Sequence, residues 1–383
     1  MLEECESPVY WIKYTRGGKS YNESSRSKRK ADARTLLQQR EGDIVYGKPV
    51  TPKVGKLTYE EAAAELLADY RTNGRRSYGV VERRVRKHLT PFFGGRRMTD
   101  ISTSDVRAYI NERQTANTVL VRKAGTLTLP DGTKETRPEE RRPASHAEIN
   151  RELALLKRMF SLSVQAAKLL YRPHIPMLRE NNVRTGFFER EQFDSVMQHL
   201  PAEIRPVIQF GYYTGWRIAS EVLPLQWRHV DFEGGEIRLD AGTTKNGEGR
   251  VFPMTADLRT LLKAQHLEHE QLKTGGHIAP WVFFRMVAEG RGGQKKPQPI
   301  ISFTKAWKSA CRAAGCPGRI PHDLRRTAVR GLVRAGIPER VAMRMTGHKT
   351  PSVFQRYNIV TDGDLQDAAT RLDAVAAASR LGA

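Results

Sequence analysis

The stretch TGHKTPSVFQRYN, residues 346–358, sets His348 and Tyr357 nine residues apart, with Pro351 between them. Proline is favoured in the first turn of a helix, so the stretch predicts a turn around His348 and a helix that begins near Pro351 and includes Tyr357. Considered alone, the tyrosine is typical of an amphipathic helix that packs an aromatic ring against apolar neighbours. Whether these two residues pack or carry out chemistry depends on what the rest of the chain places beside them.

Net charge separates the candidate partners of the chain. Its 383 residues include 64 Lys and Arg against 42 Asp and Glu, which gives a net charge of +22. A field of that sign attracts polyanions and makes binding steeply dependent on salt, so nucleic acid is the first candidate partner. An anionic membrane surface competes with it, but no strongly amphipathic basic helix stands out as an anchor. We expect a nucleic-acid-binding protein that does not act at a membrane.

The other compositional features predict a soluble, cytoplasmic protein. Three cysteines are too few for a disulfide framework and are typical of a reducing compartment. The first residues, MLEECESPVYW, are acidic where a signal peptide is basic. No apolar run approaches the about 20 residues that cross a bilayer.

The motifs of several enzyme classes do not occur in the sequence. Cys311 and Cys316 have no second pair of ligands nearby to complete a zinc site, so we expect buried thiols. Neither a Walker-type loop nor a Gly-x-Gly-x-x-Gly turn is present, and there is no nucleophile elbow. We therefore expect neither a metal nor a cofactor.

The hydrophobic pattern divides the chain into segments, because one core seldom serves 383 residues. We predict a multidomain, mainly α protein: a small β-rich N-terminal module, a helical domain, a mixed α/β but mostly α domain, and a tail helix. Their predicted bounds are 1–50, 56–175, 185–362 and 363–383. The helical domain is interrupted at 118–143, where a strand, an Asp-Gly turn and a second strand predict an inserted hairpin.

Four residues upstream of the opening stretch add positive charge and a second imidazole. Arg217 follows TGW at the start of a predicted helix, and Lys245 lies in TTKNGEGRVFP, at the tip of a predicted hairpin. His322 and Arg325, in PHDLRRTAVRGLV, are three residues apart and share one helix face. Each of them alone is typical of a solvated or structural side chain.

Together with His348 and Tyr357, these residues predict a site for a phosphate group. Arginines can donate two hydrogen bonds to phosphate oxygens. A tyrosine hydroxyl can be a covalent nucleophile when positive charge or a base lies nearby, and a lysine or histidine can protonate the departing oxygen. Phosphoryl transfer of this kind depends chiefly on positioning and on charge stabilisation.

The order of the motifs TGWR, TKNG, HDLRRTA, TGHKT and RYNIV resembles the catalytic domain of the tyrosine recombinases, the phage-integrase family. The resemblance covers residues 187–362. Residues 57–171 are similar to the helical core-binding domain of that family, and residues 9–45 to its arm-type N-terminal DNA-binding module. The resemblance implies a site-specific DNA recombinase that integrates or excises a prophage or a genomic island.

The resemblance also implies which residues handle the phosphate. Tyr357 would attack a scissile DNA phosphate, forming a 3′-phosphotyrosyl link and freeing a 5′-hydroxyl. Arg217 and Arg325 would hold the non-bridging oxygens, and His348 would add a hydrogen bond to the phosphate.

Proton transfer and assembly complete the implied mechanism. Lys245 would protonate the leaving 5′-oxygen, with help from His322. The 5′-hydroxyl of a partner strand then reverses the step, so neither ATP nor a metal is required. In the family, four protomers pair two DNA sites and exchange a C-terminal helix. The resemblance implies that the chain binds double-stranded DNA as a homotetramer. An accessory DNA-bending or excisionase protein is a further implied partner.

Three alternatives stay open at this point. A chromosome-dimer-resolving recombinase shares the chemistry, but its relatives usually lack a β-rich N-terminal module. A type IB topoisomerase shares it too, and the arm-like module favours recombination over that enzyme. A non-catalytic DNA-binding protein of the same fold would have no need of Tyr357.

One spacing departs from the family pattern. The usual order is Arg-x-x-Glu after TG, whereas three residues separate Arg217 from Glu221 here. One extra residue in an α-helix turns everything after it by about 100°. Arg217 still follows TGW directly and keeps its predicted role, but the place of Glu221 is left open.

Overall fold

The structure is a computed structural model that describes residues 8–46, 56–128, 132–181, 184, 186–242, 247–290, 293–358, 360 and 362–381. Within these residues the chain is mainly α-helical with small antiparallel sheets, which confirms the predicted fold class at that level. The chain divides into two compact units, Met1–Val183 and Arg184–Ala383. The finer division into four segments stays a prediction.

The first unit begins with a hairpin and a helix. Strands β1 and β2 pair antiparallel through a Gly-Gly turn, and both glycines have positive φ. Ile12 and Tyr14 on β1 are buried against Ala33 of the helix, which gives this segment a small core of its own. The bounds are β1 Trp11–Arg16, β2 Lys19–Ser24 and α1 Lys30–Val45.

The rest of the first unit is helical and has a separate core. Serine or threonine caps begin its three main helices, each in a reciprocal capping box with an acidic residue three positions later. Buried Arg113 donates to both oxygens of buried Glu152 across this core. The helices are α2 Tyr59–Thr72, α3 Tyr78–Arg84, α4 Thr90–Phe93, α5 Thr103–Thr115 and α6 His146–Gln165, with a π turn at Val85–Leu89.

The inserted segment forms two successive antiparallel ladders between α5 and α6. The outer strands pair nearest the helices, and the inner strands continue the arm away from them. This agrees with the predicted hairpin; its tip, 129–131, lies outside the described residues. The strands are β3 Val119–Arg122, β4 Gly125–Thr128, β5 Lys134–Arg137 and β6 Glu140–Arg142.

The second unit surrounds a three-stranded sheet and a hairpin with helices. Its strands are β7 Val230–Asp231, β8 Glu236–Leu239, β9 Arg250–Pro253, β10 Phe284–Ala288 and β11 Lys295–Pro299. Its helices are α7 Arg190–Gln198, α8 Arg205–Thr214, α9 Ala256–Thr274, α10 Thr304–Ala313, α11 Asp323–Arg334, α12 Glu339–Thr346, α13 Pro351–Gln355 and α14 Asp362–Leu381. The β10–β11 hairpin was not predicted. None of the helices in the described part of the chain combines the length and apolar content needed to cross a membrane.

Two glycines end the helices that carry the site. Gly215 follows α8 and Gly347 follows α12, both with the left-handed φ that glycine adopts without strain. Between α8 and the site, buried Trp216 donates from its indole Nε1 to the carbonyl of Met345 at 3.0 Å. The TGW motif and the end of α12 are thereby joined, although 129 residues separate them.

Candidate active site

The structure brings five of the six predicted site residues together. Tyr357 Oη lies 2.9 Å from Nε2 of His322. The tyrosine ring lies 4.6 Å, centroid to centroid, from the ring of His348, and 5.6 Å from the guanidinium carbon of Arg325. Burial lowers the pKa of both imidazoles, and the charges of Arg325 and Arg217 add to that shift, so Arg217 lies in the same electrostatic neighbourhood.

Lys245, the sixth predicted residue, falls in 243–246, outside the described residues. The strands on either side of it are described: β8 ends at Leu239, opposite Arg250 at the start of β9, and the two strands pair antiparallel. The predicted hairpin is therefore confirmed, while the role of Lys245 stays a prediction.

Arg325 lies at the centre of the cluster and is 1% exposed. Its Nη1 donates to the carbonyl of Gly215 at 2.8 Å, and its Nε donates to Nε2 of His348 at 3.2 Å. Among the described residues, its Nη2 has no hydrogen-bond partner. Burial lowers the pKa of Arg325, and the charge of Arg217 adds to that shift. A buried guanidinium that keeps one donor free is suited to bind an anion. Pairing with the anion offsets the free-energy cost of burying the positive charge of the guanidinium.

His348 is held as a neutral imidazole by its neighbours. An arginine Nε can only donate, so Nε2 of His348 must accept, and the ring proton is left on Nδ1. That nitrogen lies 2.8 Å from Oγ1 of Thr346, which donates onward to the carbonyl of Ala342 at 2.7 Å. Burial, followed by the charges of Arg325 and Arg217, lowers the pKa of His348 to about 3. In this arrangement His348 orients Arg325.

His322 immediately precedes α11 and contacts the tyrosine hydroxyl. Burial lowers its pKa to about 4, and Arg325 is the next largest cause. The imidazole is therefore neutral near pH 7 and has a lone pair that can accept the phenolic proton. The ring of Tyr357 also faces Arg326, whose guanidinium carbon lies 5.4 Å from its centre, so two cations flank the nucleophile.

Tyr357 lies just beyond a helix rather than inside it. The sequence predicted that the helix would include this residue, but α13 ends at Gln355. The backbone N–H of Tyr357 bonds to the carbonyl of Phe354, three residues earlier, so the chain tightens into a turn there. Phe354 is buried and anchors the helix. The tyrosine is thus carried on a short helix-and-turn segment.

A π turn accommodates the unusual spacing between Arg217 and Glu221. The turn spans Ile218–Val222, and the N–H groups of Val222 and Leu223 bond to carbonyls five residues earlier. Oε2 of Glu221 accepts from the backbone N–H of Arg217 at 2.8 Å, and Oε1 accepts from its Nη1 at 2.6 Å. The extra residue is absorbed locally, so Glu221 does lie beside Arg217.

Two further arginines of the site were missed from the sequence. Arg326, next to Arg325, donates to buried Asp323 at 2.8 Å. Arg250 is buried at the start of β9 and donates to Glu221. Its signal was present: in RVFP, residues alternate between faces, so Arg250 shares the inward face with Phe252. A charge at an inward strand position indicates a buried partner.

The two cysteines of the second unit are buried thiols, as predicted. Burial raises the pKa of Cys311 to about 12. Within the residues that the structure describes, no three His, Cys, Asp or Glu side chains are grouped as metal ligands would be.

Comparison with known proteins agrees with this geometry. Residues 186–363 match the model of the phage integrase family, and residues 58–113 match that of the phage integrase N-terminal SAM-like domain. The chain belongs to the tyrosine recombinase family. The predicted enzyme class, a tyrosine-type DNA strand-transferase acting in site-specific recombination, is thereby confirmed.

Individual relatives of this tyrosine recombinase are distant in sequence. The integrase of Salmonella phage P22 is 23% identical over 292 residues, covering 74% of this chain and 72% of that protein. Tyrosine recombinase XerA of Pyrococcus furiosus is 25% identical over 228 residues, covering 58% and 73%.

Solved structures share the fold. The Tn1549 transposon integrase in complex with a circular intermediate DNA gives a TM-score of 0.58 at 16% identity, over 82% of this chain and 99% of that one. A lambda integrase dimer bound to a COC′ core site gives 0.55 at 15% identity, over 94% and 96%.

Proposed function

We propose that this tyrosine recombinase cuts one strand of duplex DNA by attack of Tyr357 Oη on the scissile phosphorus. The new bond is a 3′-phosphotyrosyl link, and the bond that breaks joins phosphorus to the 5′-oxygen. The hydroxyl loses its proton, and the departing oxygen gains one. The observation that carries the proposal is the convergence of Tyr357, His322 and the unpaired Nη2 of Arg325.

The arginines supply the charge that this transition state needs. Arg325 and Arg217 bind the non-bridging oxygens, where negative charge is concentrated during transfer. His348 holds Arg325 in place through the 3.2 Å hydrogen bond to its Nε. Because Nε2 is occupied in this way, a hydrogen bond from His348 to the phosphate requires that bond to be exchanged.

His322 receives the phenolic proton in this proposal. Its low pKa makes it a weak base in the DNA-free site, but an incoming phosphate adds negative charge beside it and raises that pKa. Lys245 protonates the leaving 5′-oxygen. A 5′-hydroxyl from a partner strand then attacks the phosphotyrosyl bond and reseals the DNA, so the energy of the broken bond is retained.

The assembly we propose is a homotetramer on two paired attachment sites, acting in the integration or excision of a prophage or genomic island. The net charge of +22 suits a DNA partner. A solved lambda integrase tetramer bound to a Holliday junction shares the fold, with a TM-score of 0.56 at 15% identity. An accessory DNA-bending or excisionase protein can join such an assembly. A non-catalytic DNA-binding role is disfavoured by the contact between His322 and Tyr357.

A nicked suicide duplex, from which the cut strand diffuses away, tests the nucleophile. Tyr357→Phe should abolish the covalent protein–DNA adduct, because a phenyl ring has no oxygen to attack with, while duplex affinity stays within about threefold of the parent. Tyr213→Phe, which removes a hydroxyl from α8 in the same unit, is the matched control and should form adduct normally. Adduct in Tyr357→Phe would refute the assignment, and loss of cleavage in EDTA would refute the metal-free mechanism.

A further inference from the structure

Arg250 has a position in the site that the proposed chemistry does not use. It is 8% exposed, and both ends of its fork are occupied. Nη2 donates to Oε1 of Glu221 at 3.1 Å, and Nη1 donates to Oε2 at 3.2 Å. Nη1 also donates to the carbonyl of Thr346 at 2.9 Å. Burying a guanidinium is costly unless it is paired, and Glu221 and the carbonyl of Thr346 supply that pairing.

The first consequence concerns the charge of Arg217. The carboxylate of Glu221 is 1% exposed and lies between two guanidinium groups, those of Arg217 and Arg250. Two positive charges and one negative charge leave a net charge of +1. Without Arg250, buried Glu221 and half-buried Arg217 would form a neutral pair. Oε1 of Glu221 lies only 2.6 Å from Nη1 of Arg217, so the negative charge of Glu221 would then largely cancel the attraction of Arg217 for a phosphate.

The second consequence concerns the turn that carries His348. Thr346 ends α12, and Gly347 continues the chain with a φ of +71°. A Cβ at Gly347 would overlap the guanidinium carbon of Arg250, so that group fills the space where a side chain would otherwise be. A 3.0 Å ion pair between Lys349 and Glu248 makes a second tie between the same two segments. Arg250 therefore holds the turn at Thr346 and Gly347 in place through its hydrogen bond to Thr346 and its packing against Gly347.

We propose that Arg250 is a positioning residue for the phosphate site. It neutralises Glu221, so that Arg217 keeps its charge for the phosphate, and it fixes the turn on which His348 supports Arg325. The inference rests on the proposed function, because it assumes that Arg217 binds a non-bridging oxygen. It adds a buried strand residue that touches neither the phosphate nor the nucleophile.

The test compares two substrates for single-turnover cleavage of the suicide duplex. One has an ordinary scissile phosphate, and the other has a methylphosphonate, in which a methyl group replaces one charged oxygen. Arg250→Met should cleave the phosphate about 100-fold more slowly than the parent, with duplex affinity within about threefold. On the methylphosphonate the deficit should shrink at least about tenfold, because less charge has to be neutralised. Arg312→Met, at an exposed position of α10, is the matched control and should cleave both substrates normally.

A double variant examines the charge argument directly. Adding Glu221→Gln to Arg250→Met removes the carboxylate that would cancel Arg217, so the double variant should cleave the phosphate faster than Arg250→Met alone. A merely structural role predicts the opposite, since a second buried contact is lost. Equal deficits on both substrates, or a double variant that is slower than the single one, would overturn the proposal.

Folding is controlled in the same experiment. Where Arg250→Met unfolds at the assay temperature, Arg250→Lys takes its place, because it keeps a charge near Glu221 but cannot bond to both oxygens and to Thr346 together. It should show a smaller deficit with the same dependence on substrate. Failure of the proposed function is separate, since it appears as adduct in Tyr357→Phe, whereas failure of this inference appears only in the comparison of the two substrates.

Discussion

His348 has its two ring nitrogens committed to different partners. Nε2 accepts from Arg325, and Nδ1 lies against the hydroxyl of Thr346. Protonating Nε2 would break the bond to Arg325 and add a cation to a buried cluster that already holds several. Burial and the nearby arginine charges therefore lower the pKa of His348 to about 3.

This residue-scale arrangement makes stability depend on pH in a defined direction. His348 has a pKa of about 3 when folded, against about 6.5 in an unfolded chain, so the unfolded state binds the proton more strongly. Its contribution is complete above about pH 6.5 and is lost as the pH falls toward 3.

We predict that the free energy of unfolding falls more between pH 7 and pH 5 in the parent than in His348→Gln, by about 2 kcal/mol. Glutamine keeps an oxygen that can accept from Arg325 and does not titrate. Urea unfolding followed by tryptophan fluorescence measures both chains, because four of the five tryptophans lie in the second unit. The other buried histidines titrate in both proteins and cancel. Equal pH dependence in the two chains would contradict the assigned burial of His348.

At the scale of elements, the π turn at Ile218–Val222 shows how an insertion can leave a site intact. One added residue would rotate a regular helix by about 100° and carry Glu221 away from Arg217. The π turn instead takes up the added residue within a single wide turn. The change in backbone is confined to residues that face solvent, since Ala219 and Ser220 are both exposed. The residues on either side keep their buried positions.

Deletion of Ala219 should therefore be tolerated. It restores the Arg-x-x-Glu spacing, and a regular α turn can replace the π turn without moving the buried residues on either side. We expect the cleavage rate to stay within about threefold of the parent and the melting temperature not to fall, since the shortened segment can make the regular hydrogen bonds of an α turn. Cleavage of the suicide duplex and thermal unfolding measure the two quantities.

Deletion of Gln209, inside the regular helix α8, is the control. It rotates the residues that follow by about 100° and takes buried Phe210 out of the core, so that chain should not fold. If the two deletions were equally damaging, the π turn would be a required part of the site rather than an accommodation.

At the scale of the whole molecule, the sequence predicts what depends on residue type and order. Four of the five motifs, TGWR, HDLRRTA, TGHKT and RYNIV, predicted side chains that lie together in the structure, because each residue type suggests a particular chemical role. The fifth motif, TKNG, carries Lys245, whose place stays a prediction. The two strands around Lys245 and the inserted hairpin at 118–143 were also predicted, since alternation and turn residues are local signals.

Long-range compensation could not be predicted in the same way. Arg250 and Glu221 are 29 residues apart, and no local sequence pattern indicates that Arg250 donates two hydrogen bonds to Glu221. The π turn depends on buried contacts either side of it, and the end of α13 before Tyr357 depends on how Phe354 packs. The β10–β11 hairpin, KKPQP on one side, lacks the alternation that marks a strand.

The distribution of charge over the molecule separates binding from chemistry. Most of the net charge of +22 belongs to exposed side chains, whereas Arg325 at the site is 1% exposed. Salt competes with exposed cations for the DNA backbone but is largely kept from buried groups.

We therefore predict that raising salt from 50 to 200 mM weakens duplex binding about a thousandfold or more, as for a protein with six or more phosphate contacts. The cleavage rate of DNA-saturated protein should change less than about threefold over the same range, because Arg325 at the centre of the site is buried. Titration by fluorescence anisotropy and single-turnover cleavage measure the two quantities. Tyr357→Phe is the control for binding, since a phenol displaces no counterions and its salt slope should equal that of the parent. A cleavage rate at saturation that falls as steeply as the affinity would show that exposed cations, and not the buried cluster around Arg325, stabilise the transition state.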